Sequence, residues 1–122
     1  PAMADYRIVR ALIDACERLE VPFHKGLVRT HDAFYLESPW AEGDVKARLQ
    51  KWINLDVLAV ENESSAIFVI AGMQGVRSGT ILLSGYPIFD GEKEDPNLEE
   101  NIKKLVLVGV EAAKVLHENG LD

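Results

Sequence analysis

Two carboxylates separated by a single residue stand at Glu61 and Glu63, within Val60-Glu-Asn-Glu-Ser-Ser-Ala-Ile-Phe68. The run before them, Leu55 to Val60, is short and apolar and predicts a buried strand; the run after them, Ala66 to Met73, predicts an apolar helix. The pair therefore sits where a strand turns into a helix N-terminus. Two chemistries fit that position. In one, Asn62 is the N-cap, a role it favours, and Glu63 in the first turn complements the helix dipole. In the other, a carboxylate held beyond the carboxyl end of a strand accepts two hydrogen bonds from a vicinal diol, where open α/β sheets bind their ligands. Spacing alone leaves both open.

Other reactive side chains are scattered. His24, His31 and His117 share no Cys/His spacing that suits a metal, so none is expected. His31 reads as a polar loop histidine. Cys16 is the sole cysteine, lies on an apolar helical face and reads as core filler rather than a nucleophile. No Gly-x-Ser-x-Gly occurs. Arg29 and Arg77 stand alone near predicted strand ends and read as surface charges.

The positioning elements follow from periodicity. Ile8, Val9, Leu12, Ile13, Cys16 and Leu19 share one face of an opening helix that Pro22 should stop, with Asp14 one turn before Arg18. Phe23 to Thr30 predicts a strand that runs out into Thr-His-Asp-Ala-Phe-Tyr35. A loop over 36–43 leads to a helix carrying Val45, Leu49, Trp52 and Ile53. Beyond the Leu55–Val60 strand and the 66–73 helix, Val76 to Ser84 predicts a third buried strand. Residues 88–97 read as a polar loop. Leu98, Ile102, Leu105, Gly109, Ala112, Ala113 and Leu116 then mark the final helix, with Glu99–Lys103 and Glu100–Lys104 on its outside. Helices alternating with strands predict an α/β fold in which helices cover a sheet. Three strands are few for such a sheet, so its edges should need partners.

In this order the motifs resemble those of the nucleoside phosphorylases, the family of uridine and hexameric purine phosphorylases. Asp32-Ala-Phe-Tyr35 is similar to the family's Asp-x-Phe-Tyr, and Val60-Glu-Asn-Glu63 resembles its Glu-Met-Glu ribose motif. Gly75-Val-Arg-Ser-Gly79 and the last helix continue the likeness. The resemblance implies a partial three-layer fold, a mixed sheet covered by helices; residues 1–122 then read as one partial domain, the C-terminal half of that fold, with Pro-Ala-Met-Ala-Asp-Tyr at 1–6 resembling an internal segment.

The resemblance implies reversible phosphorolysis of a nucleoside, uridine-like as first choice, to free base and ribose 1-phosphate. Phe34 would stack on the base, and Glu63 would hold the ribose hydroxyls with Glu61 in support. Asn62 takes the place of the family's Met under the sugar, and Asp32 matches a structural Asp. Three family features have no counterpart: the Gln-x-Arg reader of uracil, where Ser38-Pro-Trp40 stands; the Ser-Asp purine acid, where Ser84-Gly85-Tyr86 stands; and a Gly-rich phosphate loop. Catalytic and phosphate-binding residues therefore stay unassigned, inorganic phosphate is a co-substrate, and no cofactor is expected. A nucleosidase of the same superfamily, or a non-catalytic nucleoside-binding or assembly module, is the alternative.

Composition narrows the partners. Over 122 residues, 13 Lys and Arg against 20 Asp and Glu give a net charge of −7, which disfavours phosphate backbones and argues against nucleic acid. No apolar run reaches the roughly 18 residues of a membrane span, and PAMADYRIV lacks the pattern of a secretory signal. One cysteine suits a reducing compartment, so a cytoplasmic protein is expected. It should be a homo-oligomer or associate with the missing N-terminal half.

Overall fold

The computed structural model describes residues 1–32, 43–85 and 95–121. Their element order is α1 (Tyr6–Arg18), β1 (Leu27–Thr30), α2 (Val45–Ile53), β2 (Val57–Glu61), α3 (Ser64–Met73) and α4 (Leu98–Glu118). This is an α/β architecture with four helices and a small sheet among the described residues. β1 and β2 pair in parallel, so the described part of the expected sheet is a two-stranded parallel unit.

Helix α1 starts because Asp5 caps it. The Asp5 carboxylate accepts the Arg7 N–H at 2.8 Å and the Arg7 guanidinium at 2.7 and 3.0 Å. That guanidinium, more than any other contact, holds the Asp5 carboxyl down to about 2. The helix ends before Pro22: Arg18 is its last residue, and Glu20 turns the chain with φ 53°. The Val21 N–H closes the end on Cys16 O at 2.9 Å.

The core is the α1–α4 interface. Ala11, Ala15 and Cys16 meet Val108, Ala112 and Val115, with Leu12, Val21, Ile81 and Leu116 around them. Alanines let the two helix axes approach, and the valines fill the space between them. Cys16 is buried in this cluster, and burial pushes its thiol up, as core filler requires. The buried stripe of α4 is rotated from the expected one: Leu98 and Ile102 are about half exposed, whereas Val108 and Val115 are 1% exposed. The outer pairs Glu99–Lys103 and Glu100–Lys104 form as expected, each at 2.7 Å. The Asp14 pairing differs. Asp14 binds Arg10 at 2.9 Å, which leaves Arg18 to bridge the helices through Glu111 at 3.2 Å and Glu118 at 2.7 Å.

The predicted third strand is a correction. Residues 76–85 form no ladder with β1 or β2, the strands among the described residues. They pack on the helices instead. Ser78 O accepts the Asp5 N–H at 2.8 Å, and Ile81 borders the core. Gly79 lies so close to α1 that a Cβ there would come within 2.5 Å of Ile8 Cγ2.

Apolar surface is abundant elsewhere. Helix α3 is apolar around most of its circumference, yet Ile67, Val69, Ile70 and Met73 are exposed. A helix of that composition ordinarily lies inside a protein. No helix among the described residues is long and apolar enough to cross a membrane.

Candidate functional site at the carboxyl edge of the sheet

Parallel pairing brings the ends of β1 and β2 to one edge. The register places Thr30 opposite Glu61, and the His31 N–H continues it by donating to Glu61 O at 2.8 Å. Beyond this edge the chain turns at once into α3. Backbone N–H groups at such a helix start have no intrahelical acceptor and need one from elsewhere.

Glu61 supplies it. One of its oxygens accepts the N–H groups of Glu63 at 2.8 Å and Ser64 at 2.6 Å. The other accepts the Thr30 hydroxyl, whose oxygen in turn takes the Ser65 N–H at 3.1 Å. Burial opposes ionisation of Glu61, but the Thr30 hydroxyl and the Ser64 and Glu63 N–H groups outweigh it, so its carboxyl lies below the usual range. The residue is a half-buried, ionised cap.

The capping roles therefore differ from the expected ones. Glu63, not Asn62, occupies the N-cap position, and its own side chain makes no capping bond to α3. Asn62 instead braces the strand ends. With its amide nitrogen facing the two nearby carbonyls, it donates to His31 O at 2.9 Å and Glu61 O at 3.1 Å. Glu63 is exposed, and one of its oxygens accepts the Asn62 N–H at 3.2 Å. A carboxylate so placed keeps lone pairs open to solvent-borne hydroxyl donors. Two acidic residues two positions apart thus have different environments, one bound into the turn and one presented outward.

Thr30 is the participant that sequence reasoning passed over. It was visible only as a strand-forming residue, and no local signal marks which strand residue will face Glu61. Phe34 and the Ser38-Pro-Trp40 stretch lie outside the described residues, as does Tyr86. Asp32 is exposed just past β1, and His31 is buried at 7% exposure rather than lying in an open loop. The two arginines near strand ends are engaged within the fold. Arg29 stacks over the Trp52 ring at 4.5 Å from its centroid, joining β1 to α2, and Arg77 donates to Leu121 O at 2.8 Å. Arg48 of α2 buries Nε and Nη2 without a hydrogen-bond partner among the described residues. No group of three or more His, Cys, Asp or Glu among the described residues is arranged to hold a metal.

The sequence matches the phosphorylase superfamily over residues 1–118. It is 32% identical over 124 residues to the uridine phosphorylase of Treponema pallidum (strain Nichols), covering 95% of this chain and 47% of that protein. It is 27% identical over 113 residues to the guanosine phosphorylase of Halorubrum lacusprofundi, covering 93% of this chain and 44% of that one. A DeoD-type purine nucleoside phosphorylase from Colwellia psychrerythraea is 32% identical over 92 residues, 75% of this chain and 36% of its own. The chain spans about half the length, or less, of these curated relatives.

Proposed function

This chain belongs to the phosphorylase superfamily, and we propose that the polypeptide carrying it is a nucleoside phosphorylase, with uridine the first-choice substrate. The reaction is reversible: the bond from ribose C1′ to the base nitrogen breaks, a bond from C1′ to a phosphate oxygen forms, and free base and ribose 1-phosphate result. The observation that carries the reading is the outward carboxylate of Glu63, fixed at the carboxyl edge of a parallel sheet in a chain of this family.

The chemistry asks for three things: a held sugar, a phosphate brought to C1′, and a stabilised leaving base. Glu63 serves the first by accepting the ribose 2′ and 3′ hydroxyls. Glu61 holds the turn from below, and Asn62 fixes it to the strand ends. To Phe34 we assign the stacking of the base, on the family resemblance of Asp32-Ala-Phe-Tyr35. Inorganic phosphate is the co-substrate, and no cofactor takes part. Arg29 and Arg77, engaged with Trp52 and Leu121, are poor candidates for the phosphate cradle. Uridine is favoured by the names of relatives such as those from Treponema pallidum and Escherichia coli. The exposed apolar faces of α3 and α4 call for cover, from a second copy or from the polypeptide that corresponds to the unmatched half of the relatives. The expected location is the cytoplasm.

The test is turnover by the full-length polypeptide on uridine, inosine and guanosine, with and without inorganic phosphate. Release of base that requires phosphate and yields ribose 1-phosphate supports the proposal. Equal release without phosphate would make the protein a nucleosidase. Nucleoside binding without turnover would make it a binding module.

A further inference from the structure

We infer that Thr30 is a positioning residue for sugar recognition, its hydroxyl locking the end of β1 to the turn that presents Glu63. The inference rests on the proposed role of Glu63 as the ribose acceptor. Thr30 lies opposite Glu61 in the parallel register, and its hydroxyl works in both directions. It donates to the Glu61 carboxylate and accepts the Ser65 N–H at 3.1 Å. Glu61 passes the constraint on, since its second oxygen holds the Glu63 N–H at 2.8 Å and the Ser64 N–H at 2.6 Å. The backbone of Glu63 is thus two hydrogen bonds removed from the Thr30 hydroxyl.

The Glu63 side chain itself makes no capping bond to α3, and its one bond to the turn is to the adjacent Asn62 N–H. Its direction therefore depends on where the backbone of residues 61–65 is held. A two-point hydrogen bond to a diol tolerates little displacement, and a shift of about 1 Å in a binding group costs up to about a hundredfold in a reaction that needs alignment. Valine at position 30 would keep the β-branched shape and the strand. It would also leave the Ser65 N–H without its acceptor and Glu61 with one donor fewer.

The experiment measures binding of uridine, inosine and guanosine, each beside its 2′,3′-dideoxy counterpart, to the full-length polypeptide. Thr30→Val should weaken ribonucleoside binding about tenfold and dideoxynucleoside binding less than about twofold, since only the former has a diol to align. Thr30→Ser, which restores the hydroxyl, should return ribonucleoside affinity to within about threefold of the parent. Thr30→Ala takes the place of valine, with the same expected split, if the valine variant does not fold. Unchanged ribonucleoside affinity in the valine variant, equal loss for both ligand classes, or failure of serine to rescue would each overturn the inference. Glu63→Gln separates this from the reading beneath it. If that variant weakens ribonucleoside binding while Thr30→Val does not, only the role of Thr30 falls. If Glu63→Gln binds ribonucleosides as the parent does, the ribose reading falls and takes this inference with it.

Discussion

Glu61→Gln should destabilise the helix start by about 1–2 kcal/mol near neutral pH, and the structure sets both the size and the place of the effect. The carboxylate accepts three donors: the Thr30 hydroxyl, the Glu63 N–H at 2.8 Å and the Ser64 N–H at 2.6 Å. A glutamine can keep its carbonyl toward the two N–H groups, but those bonds lose their charge assistance, roughly 1 kcal/mol each. Its amide nitrogen then faces the Thr30 hydroxyl, which must turn from donor to acceptor and leave its proton to solvent. Partial exposure of Glu61 and relief from burying a charge bring the total down from the sum of these parts. Hydrogen exchange at the Ser64 amide reads the result locally, as a loss of protection of about 5- to 30-fold.

The pH dependence has a definite sign. The folded Glu61 carboxyl titrates below its ordinary value of 4.5, so its contribution is complete above that pH and lost as pH falls through the lower, folded value. The gap between parent and variant should accordingly close in acid, where the protonated glutamate resembles the amide. Glu63→Gln is the internal comparison, and as an exposed side chain without a capping bond it should change stability by less than about 0.5 kcal/mol. Unchanged Ser64 protection in Glu61→Gln, or a gap that ignores pH, would refute the assignment of Glu61 as the cap.

Val108→Ala, at a site 1% exposed between α1 and α4, should cost about 2–3 kcal/mol in equilibrium denaturation; a cost below about 0.5 would mean the interface collapses around the gap. Arg48→Met replaces guanidinium nitrogens buried without a hydrogen-bond partner among the described residues and should leave stability unchanged or raise it by about 1 kcal/mol, whereas a clear loss would point to a partner outside them. With Ile67, Ile70, Met73, Val106, Leu107 and Val110 exposed, the 122-residue chain alone should self-associate or bind an apolar dye at micromolar concentration; sedimentation as a compact, dye-silent monomer would count against this. The same chain alone should release no base from uridine, inosine or adenosine in the presence of phosphate, and measured phosphate-dependent release would return Arg29 and Arg77 to consideration.

What the sequence determined by itself is local in origin. Apolar spacing set the existence and order of α1, α2 and α4, because helical hydrogen bonds close within a few residues and the buried stripe repeats with the helix turn; α3 was legible as an unbroken apolar run ended by Gly75. The Glu99–Lys103 and Glu100–Lys104 pairs follow from the same geometry. The carboxylate pair at a strand-to-helix junction was equally legible, since both flanking runs and the acidic residues lie in one short segment.

Tertiary structure decided whatever needed a distant partner. Residues 76–84 have the composition of a strand, but a ladder requires a neighbour, and their place is against Ile8 and the α1–α4 core. Arg18 had Asp14 within helical reach, yet Glu111 and Glu118 on α4 claim it once the helices dock. Asn62 has the preferred chemistry of an N-cap, but the carbonyls of His31 and Glu61 draw its amide away. The division of labour between Glu61 and Glu63 has the same source. Their types and spacing are nearly equivalent in sequence; pairing of β1 with β2 sets the Thr30 hydroxyl opposite Glu61, 31 positions away in the chain, and so binds one carboxylate into the turn while the other faces outward.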